Sequence, residues 1–191
     1  MVKHNIKVFI YITLIIGFAT YTLRSGFTDG IIKNVSFAAI VVFIFYIIFM
    51  NHIWKLRFFF NWLVPYPNLS GKWKGEMKSD WKKDEGGIPP IPCEIEIRQN
   101  FLTIQVILFT KESSSRAITS SFDIDKERGI CRLIYSYQNE PKAEVQNRSQ
   151  MHYGTVILNF KYKSKVTELN GMYWTSRNTK GDITLIRSTE N

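Results

Sequence analysis

The sequence has few of the residues that build catalytic or metal sites. It contains three histidines, at His4, His52 and His152, and two cysteines, at Cys93 and Cys131. The histidines are far apart, the cysteines lack CxxC spacing, and no Gly-x-Ser-x-Gly, Gly-rich phosphate loop or His-Glu-x-x-His motif occurs. These absences give no support to an enzyme, a bound metal or a cofactor. They favour the two cysteines as small buried apolar residues in a reducing compartment.

Acidic residues are almost absent from the first third of the chain. Between Met1 and Val64 six basic residues accompany a single acid, Asp29, whereas the rest of the chain carries both signs in near balance. Two uncharged runs lie between basic residues, sixteen residues at 8–23 and twenty-one at 34–54. At a rise of 1.5 Å per residue the second run reaches roughly 31 Å, the thickness of a bilayer core. We therefore predict two membrane-spanning helices, at about 6–23 and 34–54.

A cleavable signal peptide is the competing interpretation of the first run, which has a basic start and an apolar centre. The stretch "GFATYTLRSG" nevertheless places Tyr21, Leu23 and Arg24 where a cleavage site requires small residues. We therefore expect a membrane anchor.

The short link "RSGFTDGIIK" predicts a helical hairpin whose two ends emerge on the same side of the membrane. Basic residues mark the cytoplasmic side, and more of them flank the outer ends of the hairpin than its link. We therefore expect the termini and the following domain on the cytoplasmic side of the membrane. The aromatic and basic stretch "WKLRFFFNWLVPYP" belongs at the headgroup level, and Pro65 and Pro67 end it.

From Gly71 onward the sequence alternates apolar and polar residues with a period of two. Eight such runs are separated by turn-forming segments such as "DEGGIPPIP", "KESSSR" and "QNEPKAEVQNR". Short strands at regular spacing without an intervening helix indicate an antiparallel barrel, and eight strands can close around side chains or one small ligand. The predicted fold is a membrane-anchored all-β protein, with a two-helix transmembrane hairpin at 1–64 and a small antiparallel eight-stranded β-barrel, the ligand-binding domain, at 65–191.

The first and last strands carry complementary residues. Gly71 and Trp73 form a Gly-x-Trp pattern, and Arg187 lies in the last strand, which adjoins the first when the barrel closes. In lipocalin-like barrels a similar tryptophan closes the floor under a basic side chain. We therefore expect a structural role for Trp73, with ligand stacking as the alternative.

Binding residues are better represented than catalytic ones. In "LNGMYWTSR" the residues Leu169, Gly171, Tyr173, Thr175 and Arg177 share one face, and Gly171 is expected to leave space beside Tyr173. Arginine suits a phosphate and aromatic rings suit stacked bases, although both residue types are also ordinary in strands. The predicted ligand-binding residues are Arg177, Tyr173, Thr175, Arg116, Tyr137 and Trp81, the last in the long loop after the first strand.

Two hydrophobic helices followed by "LSGKWKGEM" and closing with "LNGMYWTSRNTKGDITLIR" resemble a known family. The resemblance is to the two-transmembrane β-barrel effectors of the cyclic-oligonucleotide-based antiphage signalling system (CBASS), the CD-NTase-associated membrane effectors. It rests on Leu69, Gly71, Trp73, Gly75, Gly171, Tyr173, Thr175, Arg177, Gly181, Ile183 and Leu185. It implies a non-enzymatic antiviral effector of the bacterial inner membrane that binds a cyclic dinucleotide, associates into a homo-oligomer and disrupts the lipid bilayer of the infected cell. It implies no nucleic acid polymer as a partner.

Two other functions remain open at this point. A membrane-tethered lipocalin-like carrier of an apolar molecule predicts a barrel interior without arginine, and Arg177 or Arg116 pointing outward. A structural tether for a protein partner predicts no small ligand.

Overall fold

The computed structural model describes residues 6–26, 30–80, 82–83, 86–163 and 165–188. The chain forms two compact units, one helical and one made of strands. The helical unit extends to Pro65 and also includes Asn100–Leu102, and the strand unit consists of Tyr66–Gln99 and the residues from Thr103 onward.

The helical unit is a pair of apolar helices, α1 at Ile6–Ser25 and α2 at Ile31–Asn51, followed by two short 3₁₀ turns at Ile53–Lys55 and Arg57–Phe59. Both helices are long and apolar enough to cross a membrane. α2 begins and ends three residues before its predicted limits of 34 and 54, because the 3₁₀ turn at Ile53 replaces the last helical residues.

An aromatic cluster stabilises one end of this helical unit. Phe49 is 1% exposed, and its ring lies 5.1 Å from that of Phe9 and 5.4 Å from that of Phe101. The amide of Phe101 also donates a hydrogen bond to the carbonyl of Met50 at 3.0 Å. Farther along the pair, the hydroxyls of Thr13 and Tyr46 form a hydrogen bond. The two helices are therefore joined by specific side-chain contacts and not by their apolar surface alone.

The strand unit is a closed antiparallel barrel of eight strands, in the order β1-β10-β9-β8-β7-β6-β5-β4. The remaining two strands, β2 and β3, form a two-residue ladder in the connection after β1. The fold predicted from the sequence, an eight-stranded all-β barrel after two apolar helices, is confirmed. The strands are β1 Gly71–Ser79, β2 Lys82–Lys83, β3 Gly86–Gly87, β4 Ile91–Gln99, β5 Ile104–Thr110, β6 Ser113–Asp125, β7 Ile130–Pro141, β8 His152–Asn159, β9 Glu168–Thr175 and β10 Lys180–Arg187.

Alternate residues of each barrel strand point inward, as a period of two requires. The inward residues form one core, which includes Leu133, Leu158 and Leu169, all 0% exposed. Cys93 and Cys131 are both buried and free, which confirms them as core residues. Burial raises the pKa of the Cys93 thiol to about 11, with the Glu76 carboxylate adding to the effect.

Trp73 and Arg187 close one end of the barrel, which we call the floor. They are register partners, and the guanidinium carbon of Arg187 lies 4.5 Å from the centre of the Trp73 ring, as the sequence predicts. Arg187 also donates to the carbonyls of Asn68, Ser70 and Val166 at 2.7, 2.8 and 2.9 Å. Burial lowers the pKa of this guanidinium, and the three carbonyls stabilise its charge. The structure thus gives Trp73 its expected structural role.

Candidate ligand-binding site

The candidate site lies at the other end of the barrel, where β1 ends and β10 begins, which we call the distal end. Three of the predicted residues meet there on the inner face. Tyr137 in β7 is in register with Gly154 in β8, and Gly154 is in register with Thr175 in β9. Tyr173 lies two residues before Thr175 on the same strand face. The sequence therefore folds these three side chains to one side of the interior.

Each of the two tyrosine rings covers a glycine of the neighbouring strand. A Cβ on Gly154 would lie 2.5 Å from the Tyr137 ring, and a Cβ on Gly181 would lie 2.9 Å from the Tyr173 ring. The expectation that Gly171 leaves space beside Tyr173 is wrong. A Cβ on Gly171 would instead lie 1.8 Å from the carbonyl oxygen of Ile157, so this glycine permits close approach of the β8 backbone.

The tyrosines are neutral hydrogen-bonding groups at physiological pH. Burial raises the pKa of Tyr137 to about 12, and the nearby Tyr173 adds to the effect. Burial also raises the pKa of Tyr173, while a hydrogen bond with Ser79 acts in the opposite direction. Both side chains are 8% exposed, so their rings are held by the barrel wall while a small part of each side chain remains accessible.

Tyr135 is a further inward-facing tyrosine beside this pair. It is 2% exposed, and its ring centre lies 6.2 Å from that of Tyr137. Its hydroxyl has no hydrogen-bond partner among the described residues. Burial raises its pKa strongly, and the nearby Tyr137 and Cys93 raise it further. A buried hydroxyl without a partner carries a desolvation cost, which an incoming polar group would remove.

Ser115 and Asn139 add two more neutral polar groups to the distal half of the interior. They are buried register partners on β6 and β7, and the Ser115 hydroxyl donates to the Asn139 side-chain oxygen at 2.9 Å. That bond involves only the side-chain oxygen of Asn139, so the N–H groups of its amide nitrogen can donate to a ligand. An amide with a donor and an acceptor suits the edge of a nucleobase.

Positive charge is found at the distal rim and not inside the distal half. No Lys, Arg, Asp or Glu is among the buried residues of the described chain. Arg177, in the turn between β9 and β10, is exposed and donates to the Ser149 hydroxyl at 3.2 Å. It has no acidic partner among the described residues, whereas the neighbouring rim residue Arg148 pairs with Glu112 at 2.6 Å. Arg177 is therefore the unneutralised arginine of this rim.

The other predicted residues do not join this group. Arg116 is exposed on the outer face of β6, where its register partners are Ile107 and Gln138. Trp81 lies outside the described residues. Thr175 is half-buried, and its hydroxyl contacts that of Thr179 at 2.7 Å, so this side chain also holds the turn that carries Arg177.

Sequence reasoning missed Tyr135, Ser115 and Asn139 as site residues. Tyr135 shares strand parity with Tyr137, and that signal was present in the sequence. Ser115 and Asn139 were hidden because "KESSSR" and "QNEPKAEVQNR" predict turns. In the structure β6 already begins at Ser113 and β7 continues to Pro141, so both residues lie in strands.

Comparison with known proteins gives a consistent result. Residues 64–187 match a family described as "Cap15, cyclic dinucleotide receptor domain". A protein of Staphylococcus schleiferi called CD-NTase-associated protein 15 is 34% identical over 132 residues, which cover 69% of this chain and 65% of that protein. A protein of the same name from Yersinia aleksiciae is 26% identical over 184 residues, covering 95% of this chain and 84% of that protein. The match therefore spans just under two thirds of the Staphylococcus protein.

Proposed function

Because this chain belongs to the Cap15 cyclic dinucleotide receptor family, we propose that its barrel binds a cyclic dinucleotide and that the chain acts as an effector in CBASS antiphage defence. The family description is that of a receptor domain, and we propose no catalytic step. The barrel at 65–191 is the receptor, and residues 1–64 are its membrane anchor.

The observation that supports this proposal is the division of polarity at the distal end. The distal interior offers tyrosine rings, hydroxyls and an amide but no charge, and the rim offers Arg177. An interior without arginine and an outward Arg116 are also what the carrier predicts, but an apolar cargo would leave the buried polar groups of this interior unpaired. Moving a phosphate into an interior without a buried cation costs several kcal/mol, whereas a base loses little there if its edges are paired. We therefore place a base among Tyr135, Tyr137, Tyr173 and Asn139, and a phosphate beside Arg177.

The helical unit supports the proposed membrane placement. α1 and α2 are long and apolar enough to span a bilayer. We propose that they do so in the bacterial inner membrane, with both termini and the barrel on the cytoplasmic side, since more basic residues flank the ends of the pair than its link.

Ligand binding drives association only if the associated state binds the ligand more tightly than the single chain does. We propose that the bound chains form a homo-oligomer, that their helices pack together, and that this packing disrupts the bilayer. Gly17 faces Val42 within the pair and Ala38 is 8% exposed, whereas Ala19 and Ala39 are exposed. Small outward residues let helices of neighbouring copies approach closely, which supports this proposal.

The test is a calorimetric titration of the full chain in detergent with a panel of cyclic dinucleotides, with Arg177→Ala and Arg116→Ala as matched variants. Loss of a charge-assisted hydrogen bond to phosphate is expected to weaken binding about tenfold in Arg177→Ala. Arg116→Ala is expected to bind within about twofold of the unchanged chain, because Arg116 lies on the outer face and away from the distal interior.

The reverse order of the two variants would place the ligand on the outer face of β6 and would refute the interior site. Heat from none of the ligands would favour the carrier or the tether. Extraction of an apolar molecule from the purified protein would then support the carrier.

A further inference from the structure

The segment at 53–62 exposes basic and apolar side chains close together along the chain. Lys55 and Arg57 are exposed, and between and beyond them Leu56, Phe58 and Trp62 are 57%, 75% and 44% exposed. Three large apolar side chains exposed within seven positions form a patch, which differs from the single apolar residues scattered over most protein surfaces. We call these five residues the interfacial patch.

Buried residues in and next to the segment hold it in a defined position. Trp54 is 2% exposed, and the Phe59 ring packs edge-on against Phe49 of α2 at 5.6 Å. Leu63, just beyond the segment, is 1% exposed. The Phe58 and Trp62 rings contact each other at 5.7 Å, so the patch is organised on its exposed side as well. The segment therefore combines buried side chains with exposed basic and apolar ones, as an amphipathic surface element does.

The charges around the patch have one sign. The sequence has no Asp or Glu from Gly30 to Gly75, a range that contains the whole of α2 and the segment after it. Lys55 and Arg57 form no ion pair among the described residues, although exposed cations elsewhere do, as in Arg98 with Glu96. A positively charged patch of this kind, directly after an apolar helix of 21 residues, is complementary to anionic headgroups above an acyl layer.

The geometry points to a binding site for anionic phospholipid at the interfacial patch. Lys55 and Arg57 hold the phosphate headgroups, and Leu56, Phe58 and Trp62 enter the upper part of the acyl layer. This inference rests on the membrane placement proposed above, and it adds a lipid specificity to it. The protein then prefers regions of the bilayer that are rich in anionic lipid, whether or not a nucleotide is bound.

The test uses the full chain in vesicles of equal parts phosphatidylglycerol and phosphatidylcholine, in which only one of the two lipids is brominated near its headgroup. Bromine quenches nearby tryptophan, and the difference between the unchanged chain and Trp62→Phe isolates the signal of Trp62. Each basic residue near an anionic surface contributes on the order of a fivefold preference, so with Lys55 and Arg57 together quenching by brominated phosphatidylglycerol is expected to be at least about fivefold stronger than by brominated phosphatidylcholine.

Two charge variants are compared with the unchanged chain. Lys55→Gln with Arg57→Gln is expected to make the two lipids quench equally. Lys111→Gln with Lys142→Gln removes the same charge from exposed positions of the strand unit and is expected to keep the preference.

Equal quenching of the unchanged chain by the two lipids would overturn the inference and leave the membrane placement intact. Absence of Trp62 quenching by either lipid would also overturn it, because Trp62 would then not enter the acyl layer. Failure of the chain to float with the vesicles would instead refute the membrane placement. The comparison of lipids in the unchanged chain decides the question even if the double charge variant does not fold.

Discussion

At the residue scale, the two ends of the barrel differ in whether their polar side chains have hydrogen-bond partners. At the floor, Arg187 has the Trp73 ring and three carbonyl oxygens as partners. At the distal end, the Tyr135 hydroxyl is buried and has no partner in the described chain. A group that is fully paired contributes to stability, whereas an unpaired one costs free energy until something binds it. This contrast supports the proposed division, with a structural role for the floor and ligand recognition at the distal end.

Replacing Tyr135 with Phe is expected to separate stability from binding. Removal of an unpaired buried hydroxyl should leave the free energy of unfolding unchanged or raise it by up to about 1 kcal/mol. The same change should weaken cyclic dinucleotide binding about fivefold to tenfold, because the ligand loses a hydrogen bond. Urea unfolding and calorimetric titration measure the two effects.

The control for this prediction is Tyr153→Phe, since Tyr153 is 55% exposed on β8. It should change neither quantity. A loss of stability in Tyr135→Phe together with unchanged affinity would contradict a recognition role for the hydroxyl.

The buried ionisable groups also predict how stability depends on pH. The pKa is about 11 for Cys93 against an ordinary 9.0, and about 12 for Tyr137 against an ordinary 10.0. Below pH 9 both groups are protonated in the folded and unfolded states, so their contribution to stability is fully present. Above that pH the unfolded state releases its protons first, and the free energy of unfolding falls, by at most about 1.4 kcal/mol per pH unit for each group.

Urea unfolding at a series of pH values from 7 to 12 measures this dependence. Tyr137→Phe should show a shallower decline above about pH 10, and Tyr153→Phe should follow the unchanged chain. A stability that stays constant up to pH 12 would contradict the burial of both groups.

At the element scale, periodicity predicted the strands well and the turns less well. Alternation alone identifies the eight barrel strands, because a half-buried strand repeats every two residues. It could not show that the β5–β6 connection has only Lys111 and Glu112, since that tight turn depends on Thr110. The Thr110 hydroxyl accepts from the amide of Ser113 at 3.0 Å and contacts the Ser113 hydroxyl at 3.1 Å. The candidate site residue Ser115 was missed for that reason, and Asn139 was missed because "QNEPKAEVQNR" predicts a turn. The pairing of Trp73 with Arg187 needed only closure of the barrel.

Gly154→Ala is expected to disturb the pairing of β7 with β8 at the distal end. The new methyl group would lie 2.5 Å from the Tyr137 ring and 2.7 Å from the Trp174 carbonyl oxygen. Overpacking of this kind costs about 1 to 3 kcal/mol of the free energy of unfolding. Urea unfolding of the full chain in detergent measures the loss.

A double-mutant cycle provides the control for this change. In a Tyr137→Leu background the ring contact is gone, so the cost of Gly154→Ala should be smaller by about 1 kcal/mol. Identical costs in both backgrounds would mean that the Trp174 carbonyl, and not the tyrosine ring, makes glycine necessary.

At the scale of the whole molecule, the chain combines a receptor unit with a pair of apolar helices. Composition predicted this combination, because acids are almost confined to the barrel sequence and long apolar runs to the first 64 residues. Composition does not predict the proposed association of copies, since that depends on contacts between chains.

Ala39→Leu is expected to separate ligand binding from membrane disruption. Ala39 is an exposed small residue of α2, and a larger side chain there should hold neighbouring helix pairs apart. Dye release from vesicles at saturating ligand should fall at least about fivefold, while the affinity for the ligand should be unchanged. Ile40→Leu, a change at the neighbouring exposed position that conserves volume, is the matched control.

The closed order of the barrel strands has a consequence for the resting cell. Each of the eight strands has a strand neighbour on both sides, although β5 and β6 are in register only at 107–109 and 114–116. Open edges let sheets join spontaneously at high local concentration, and confinement to a membrane plane produces that concentration. Under the proposed function, the closed strand order limits the joining of unliganded barrels through their strand edges, so that the ligand, and not crowding, decides when copies associate.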